Sequence, residues 1–151
     1  MPYFVRGGVG SLWIEGTGPF DTAASMAGKR IAVVKGSYPE SWVREHIPTA
    51  TILPVDGTLA ELDQMLPTGK ADIEVSFYTR QRGVLLKHKN GGGYRNALIQ
   101  PMRATFAVRK ESKELREALD GVLKKMWADG SLKKIKRVYL DPLEIEPPTS
   151  P

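Results

Sequence analysis

Several residue types are absent or scarce in this chain, and each absence narrows what the protein can do. There is no cysteine among its 151 residues, which excludes a disulfide framework, a thiolate metal site and a cysteine nucleophile. The two histidines, His46 and His88, lie far apart and have no acidic residue or second histidine at metal-ligand spacing. We therefore predict no metal, no cofactor and no catalytic residue.

Long apolar runs are also missing. No stretch approaches the roughly 20 apolar residues that a membrane-spanning helix needs. The first residues, Met1-Pro2-Tyr3, lack the basic and apolar regions of a signal peptide, so the chain as given is predicted to carry no leader. With 41% hydrophobic and 26% charged residues, the composition is that of a folded globular protein.

Positive charge is present but unevenly placed. The formal net charge is +5. The segment from Arg103 to Arg137 holds 11 basic and 5 acidic residues, so this segment accounts for the whole positive charge of the chain. Such a segment can contact nucleic acid or an acidic membrane. No aromatic-basic pattern or helix-turn-helix spacing accompanies it. We interpret it as solvated helix faces and expect no nucleic-acid partner.

The most informative stretch is a strand followed by a small-residue elbow. Ile31–Val34 is a continuous apolar run, which is typical of a parallel strand buried on both faces. Gly36 and Ser37 follow, and Ser37 with Glu40 has the spacing of a capping box. The free N–H groups of a helix N-terminus bind anions. The elbow is therefore either a carboxylate or phosphate site, or an ordinary N-cap that stabilises the helix by about 1 kcal/mol.

Strand and helix patterns alternate along the rest of the chain. Further strands are predicted at Thr51–Leu53, Ala71–Phe77, Ala97–Ile99 and Thr105–Val108. Helices are predicted from Pro39 to His46, Leu59 to Leu66 and Thr79 to Lys89, and after caps at Ser112 and Ser131. This alternation predicts an α/β fold, a mainly parallel sheet with flanking helices. Four prolines make residues 141–151 a Pro-rich tail.

Ligands of such sheets bind at the carboxyl ends of the strands. That rule directs attention to the three elbows at Lys35–Tyr38, Pro54–Thr58 and Ser76–Arg80. The predicted ligand-binding residues are Gly36, Ser37, Tyr38, Thr58, Phe77 and Tyr78.

Some residues near these elbows have simpler interpretations. Phe77 can pack in the core instead of forming a pocket wall. For Glu74, which is unusual in a strand covered on both faces, a solvated edge position is favoured. Three arginines can hold an acidic ligand bidentately, but solvation is the commoner state: these are Arg80, Arg82 and Arg103.

Five segments, in the right order, resemble the type II periplasmic solute-binding proteins, in the family that binds amino acids and similar polar solutes for ABC importers. They are Pro2-Tyr3; Gly28-Lys29-Arg30-Ile31-Ala32-Val33 with Gly36-Ser37; Leu59–Leu66 with Gly69-Lys70-Ala71-Asp72; Phe106–Lys110; and Leu123–Ile135 with its Asp129-Gly130-Ser131-Leu132.

The resemblance implies a domain over residues 1–140. Lobe two would span approximately 14–104, joined by hinge strands and by C-terminal helices that return to lobe one. It also implies a small polar solute as ligand, an ABC transporter permease as partner and a periplasmic or extracytoplasmic location, with a cytoplasmic one left open by the missing leader.

Two departures from the family pattern stand out. Its N-terminal stretch, which supplies an arginine for the ligand carboxylate, has no counterpart here, so the chain resembles a truncated member. Its aspartate for the ligand ammonium is replaced by Phe77. An incomplete lobe exposes apolar surface and strand edges. We therefore expect a homodimer, in which Leu12-Trp13-Ile14 pairs with a neighbouring copy.

The leading hypothesis is a non-catalytic solute-binding domain. One alternative is an interaction or dimerisation module that keeps the fold without binding a ligand. A less favoured alternative is an enzyme on the same scaffold, for which Glu74 with Arg80 or Arg103 is the available acid–base pair.

Overall fold

Strands and helices alternate through most of the chain. The computed structural model describes residues 3–56, 58–87 and 92–140; the predicted tail, 141–151, lies outside them. The strands are β1 (Tyr3–Ile14), β2 (Arg30–Val34), β3 (Thr51–Val55), β4 (Ile73–Phe77) and β5 (Tyr94–Ala104). The helices are α1 (Tyr38–His46), α2 (Leu59–Met65), α3 (Tyr78–Lys87), α4 (Lys113–Ala128) and α5 (Ser131–Leu140).

The chain divides into two compact units. One is Gly7–Pro101, and the other consists of the described residues before Gly7 and after Pro101. In the second unit α4 and α5 contact each other. The first unit carries all three predicted elbows and all the residues considered below for binding.

The five strands form one sheet in the order β3-β2-β4-β1-β5. Strand β2 is parallel to both β3 and β4, whereas β1 is antiparallel to β4, with Leu12 opposite Glu74. The α/β fold with flanking helices is confirmed, with a mixed sheet whose parallel part is β3-β2-β4. Leu12 has its strand partner within the same chain, so the expected pairing of Leu12-Trp13-Ile14 with a neighbouring copy is not what this structure shows.

One face of the sheet is covered by α2 and α3. Ala32 of β2 and Leu12 of β1 flank Glu74 in register, and residues opposite one another in a sheet point to the same face. Leu12 and Ala32 belong to a core cluster with Leu62 of α2, and Val84 of α3 packs against it. Leu62 is fully buried. Glu74 therefore shares its face with apolar residues.

The prediction for the last strands was correct for Ala97–Ile99, which lie in β5, and wrong for Thr105–Val108. In place of separate strands at Ala97–Ile99 and Thr105–Val108, a single strand, β5, runs through Pro101, and residues 105–109 are outside any strand. Proline lacks the N–H that a central strand needs, but β5 is at the edge of the sheet, where one missing donor is tolerated.

Helix caps were predicted correctly in the first unit and less well in the second. The hydroxyls of Ser37 and Thr58 accept hydrogen bonds from the N–H groups of Glu40 (3.3 Å) and Glu61 (3.2 Å). Ser112 occupies the N-cap of α4, but its side chain makes no cap hydrogen bond. Ser131 was predicted to be the cap of α5 but is its first residue. The N–H of Ser131 donates to Asp129 Oδ1 at 2.8 Å, so the aspartate two residues earlier provides the acceptor.

Candidate functional site

The three predicted elbows lie at the carboxyl ends of the parallel strands, which form one boundary of the sheet. This boundary is called the carboxyl edge below, and it is distinct from the edge strands. Strands β2, β3 and β4 run parallel, so their carboxyl ends meet there, and α1, α2 and α3 begin just beyond them. Open α/β sheets bind their ligands at this edge. The structure thus brings all six predicted residues to one edge, and their role in binding remains a prediction.

The Gly36-Ser37 elbow is partly filled by an anion of the protein itself. Gly36 has a φ of +72°, a conformation that favours glycine. Its N–H donates to Glu40 Oε2 at 2.6 Å, and the N–H of Ser37 donates to the Val34 carbonyl at 3.2 Å. The N–H of Gly36 is therefore already engaged within the chain, and the role of Gly36 in ligand binding remains a prediction. The hydroxyl of Ser37 accepts from Glu40 and still has its own proton to donate.

Glu40 is held as a carboxylate by its neighbours. Arg44 Nη2 lies 2.7 Å from Glu40 Oε1, and this hydrogen bond, together with that from Gly36, keeps the pKa of Glu40 below its ordinary 4.5. Because a lowered pKa in the folded state favours folding of the ionised form, the stabilisation is present above pH 4.5. It is lost as the pH falls through the lower folded-state value.

This linkage predicts the acid behaviour of a variant. Glu40→Gln is expected to lower the free energy of unfolding by about 1 kcal/mol at neutral pH. The difference from the parent should shrink between about pH 5 and about pH 3, which urea denaturation at several pH values would measure. The matched control is Glu45→Gln, at an exposed position of the same helix. A Glu40→Gln deficit that stays constant across this pH range would contradict the assignment.

An exposed large hydrophobic side chain lies within or directly after each elbow. Tyr38 is 49% exposed, Leu59 55% and Phe77 44%. The interpretation of Phe77 as a core residue is therefore wrong, because β4 ends there and α3 starts at the next residue, Tyr78, which is half-buried. Clustered exposed apolar side chains mark interaction or ligand sites.

The β3 elbow contributes mainly polar groups. Thr58 is exposed and caps α2, so the described contacts give its hydroxyl a structural role. Asp56, which the sequence analysis did not select, forms an exposed ion pair with Lys35 of the neighbouring elbow, at 2.8 Å. The pair links the ends of β2 and β3.

Behind this edge lies a buried polar cluster centred on Glu74, which is 1% exposed. Its Oε1 accepts hydrogen bonds from Ser76 Oγ (2.6 Å) and from Arg80, and Arg80 also donates to Asp63. The interpretation of Glu74 as a solvated edge residue is wrong, because β4 lies between β2 and β1. The interpretation of Arg80 as a solvated arginine is also wrong, because its guanidinium pairs with Glu74 and Asp63. Burial raises the pKa of Glu74, and the charge of Arg80 opposes that rise.

Gln81 completes the cluster. It is fully buried, and its Nε2 donates to the Gly10 carbonyl (2.8 Å) and to Ser76 Oγ (3.2 Å). The sequence analysis missed Asp63, Ser76 and Gln81 as partners. The available signal was a charged residue, Glu74, in an otherwise buried strand.

Residues 3–56, 58–87 and 92–140 contain neither a metal-binding cluster nor a membrane-spanning helix. No group of three or more His, Asp or Glu side chains there is arranged to hold a metal ion. Over the same ranges, none of the helices combines the length and hydropathy required to traverse a bilayer.

Known proteins share both the sequence pattern and the fold. No protein-family model matches the chain. The histidine-binding periplasmic protein of Salmonella typhimurium is 27% identical over 132 residues, which cover 80% of this chain and 49% of the relative. The chain thus spans about half the length of the curated relatives it matches.

Solved structures extend the comparison. An ancestral arginine-binding protein bound to arginine superposes with a TM-score of 0.75 at 24% identity, covering 91% of this chain and 62% of that one. An ancestral amino-acid-binding protein described as a precursor of cyclohexadienyl dehydratase gives 0.72 at 22% identity, covering 93% and 60%. The resemblance predicted from the sequence is confirmed: this chain is related to the periplasmic amino-acid-binding proteins and has their fold.

Proposed function

We propose that this chain binds a small polar solute of the amino-acid class, without catalysis, at the carboxyl edge of β2, β3 and β4. The observation that carries the proposal is the placement, at the ends of the neighbouring strands β2 and β4, of the Ser37 hydroxyl at the N-terminus of α1 and of the exposed aromatic rings of Tyr38 and Phe77. The names of the relatives, which bind histidine or arginine, support the solute class.

The groups at the edge have complementary tasks. The hydroxyl of Ser37 and the positive end of α1 attract a solute carboxylate. The rings of Tyr38, Phe77 and Tyr78 form a wall that suits a cationic or aromatic side chain. Thr58 is a secondary hydroxyl. Since Phe77 stands where the family has an aspartate, recognition here depends on the carboxylate and side chain of the solute more than on its ammonium group.

The wider role follows from the relatives. We infer that the whole protein serves solute uptake outside the cytoplasm, with an ABC transporter permease as partner.

Ser37 provides the test. Isothermal titration calorimetry with histidine, arginine, glutamine and glutamate should show binding of at least one. Ser37→Gly should weaken that binding about tenfold, as expected for the loss of one hydrogen bond to a charged group. Glycine retains most of the N-cap stability, whereas Ser37→Ala loses about 1 kcal/mol. Comparing the two variants therefore separates binding from folding. An affinity unchanged in Ser37→Gly would refute the site.

A second candidate is an interaction or dimerisation module. It is favoured by the exposed apolar side chains of Tyr38, Leu59 and Phe77 at one edge. Under this candidate no solute binds, and light scattering at micromolar concentration shows a dimer that Phe77→Asp dissociates. An enzyme on this scaffold would require turnover that Glu74→Gln abolishes.

A further inference from the structure

A pocket of about 300 Å³ lies in the Gly7–Pro101 unit, away from the predicted solute site. It is enclosed by α2, α3 and the sheet face that carries Glu74. Its walls include Leu12, Asp63, Glu74, Val84, Lys87 and Tyr94, and none of the six residues predicted for the solute site lines it.

One wall of the pocket is a carboxylate that needs a hydrogen-bond donor. Oε1 of Glu74 accepts from Ser76 and Arg80, but Oε2 is buried and has no hydrogen-bond partner among the described residues. A buried polar atom without a hydrogen-bond partner is destabilising, and more so when it is charged. Glu74 is 1% exposed, so neither bulk solvent nor a water in the pocket reaches Oε2 in this side-chain conformation. A donor in the pocket reaches it once the carboxyl group turns toward the pocket.

The charged groups around the pocket also favour a cationic ligand, because acidic side chains outnumber the half-buried basic one. Arg80 is shared between Glu74 and Asp63, so two carboxylates face one guanidinium. Lys87 lies at the wall but is exposed, where its ammonium group is strongly hydrated. The remaining walls are mainly apolar, with Gln64 as a polar exception: Val84 and the ring of Tyr94 pack against the core cluster that contains Leu12.

We propose that this pocket binds a small organic ammonium ion, a primary amine on a short apolar body, with its N–H donating to Glu74 Oε2. The apolar body lies against Leu12, Val84 and Tyr94. At about 30 Å³ per water, the space corresponds to roughly ten waters, enough for an amine of up to about ten non-hydrogen atoms. A solute carboxylate is disfavoured here by Glu74 and Asp63, which distinguishes this site from the edge site.

Benzylamine, with benzyl alcohol as its uncharged counterpart of the same shape, tests the proposal on the full chain by calorimetry. Benzylamine should bind at least tenfold more tightly than benzyl alcohol, and Glu74→Gln should weaken it at least tenfold. Lys87→Met should leave or strengthen binding, because it removes a competing cation. Equal affinity for the two probes, or no binding at about 10 mM benzylamine, would overturn the proposal.

A second variant keeps the test valid if Glu74→Gln does not fold. Val84→Phe narrows the pocket and leaves the carboxylate in place, so it should abolish benzylamine binding while circular dichroism stays native. Benzylamine binding that persists in a folded Val84→Phe variant also contradicts the proposal. Ser37→Gly should leave benzylamine binding unchanged, so failure of the amine site and failure of the edge site are distinguishable.

Discussion

Arg80→Met is expected to lower the free energy of unfolding by about 3–5 kcal/mol at about pH 8. Arg80 is the cation shared by Glu74 and Asp63, and Glu74 is 1% exposed. Without Arg80, the Glu74 carboxylate is either left buried and uncompensated or must take up a proton. Because burial already raises the pKa of Glu74, and loss of Arg80 raises it further, the stability loss should become smaller as the pH falls.

Urea denaturation followed by circular dichroism, at about pH 8 and about pH 5.5, measures both the loss and its pH dependence. The sign follows from linkage: a carboxyl with a raised folded-state pKa favours folding when protonated, and this benefit disappears as the pH rises through that pKa. Glu74→Leu combined with Arg80→Met should recover much of the stability, since well-packed apolar residues often replace buried ion pairs without loss.

The matched control is Arg95→Met. Arg95 pairs with Glu15 on the surface, and the two side chains are 48% and 55% exposed. Exposed pairs contribute at most about 1 kcal/mol. If Arg80→Met costs no more than Arg95→Met at about pH 8, the buried cluster does not depend on Arg80 as described.

Gly10→Ala is expected to lower the free energy of unfolding by about 2–4 kcal/mol. A Cβ at Gly10 would lie 2.5 Å from Gln81 Oε1 and 3.0 Å from the Ala97 carbonyl oxygen. The side chain of Gln81 is fully buried and donates to the Gly10 carbonyl at 2.8 Å. Making room for the methyl group therefore displaces a side chain with little free space and breaks a buried hydrogen bond.

Gly83→Ala is the control with the opposite sign. Gly83 lies within α3, and a Cβ there would meet nothing within 4 Å. Alanine in a helix interior is about 0.5–1 kcal/mol more favourable than glycine, so this variant should be slightly more stable than the parent. The two midpoints in urea should move in opposite directions. A Gly10→Ala variant as stable as the parent would show that the contact with Gln81 is not tight.

Local pattern was enough to predict the helix caps of the first unit and one buried strand. The capping pairs Ser37 with Glu40 and Thr58 with Glu61 were read from residue spacing, and both occur in the structure. The apolar run Ile31–Val34 predicted a strand buried on both faces, and in β2 the side chains of Ile31, Ala32 and Val33 are buried, while Val34 is partly exposed. These features depend on a few neighbouring residues, which is why an isolated sequence suffices to predict them.

Features that depend on distant partners were predicted poorly. Glu74 was assigned to a solvated edge position, and Arg80 was considered as its partner only for the enzyme alternative, because the pattern of β4 alone does not show which strands and helices cover it. Its cation is six residues away on α3, and the second carboxylate, Asp63, is on α2. In the same way, the residue spacing did not predict that the Gly36 N–H donates to the Glu40 carboxylate, because this hydrogen bond depends on the backbone conformation of the elbow.

The sequence by itself determined the alternation of strands and helices, the caps of α1 and α2, and the relationship to amino-acid-binding proteins, because each is encoded by short-range pattern. Only the tertiary structure decided that β1 runs antiparallel beside β4, that Phe77 faces solvent, and that Glu74 is buried with one oxygen lacking a partner among the described residues. The physical reason is that burial and pairing depend on which strand lies alongside and which helix packs above, and these neighbours are remote in the chain.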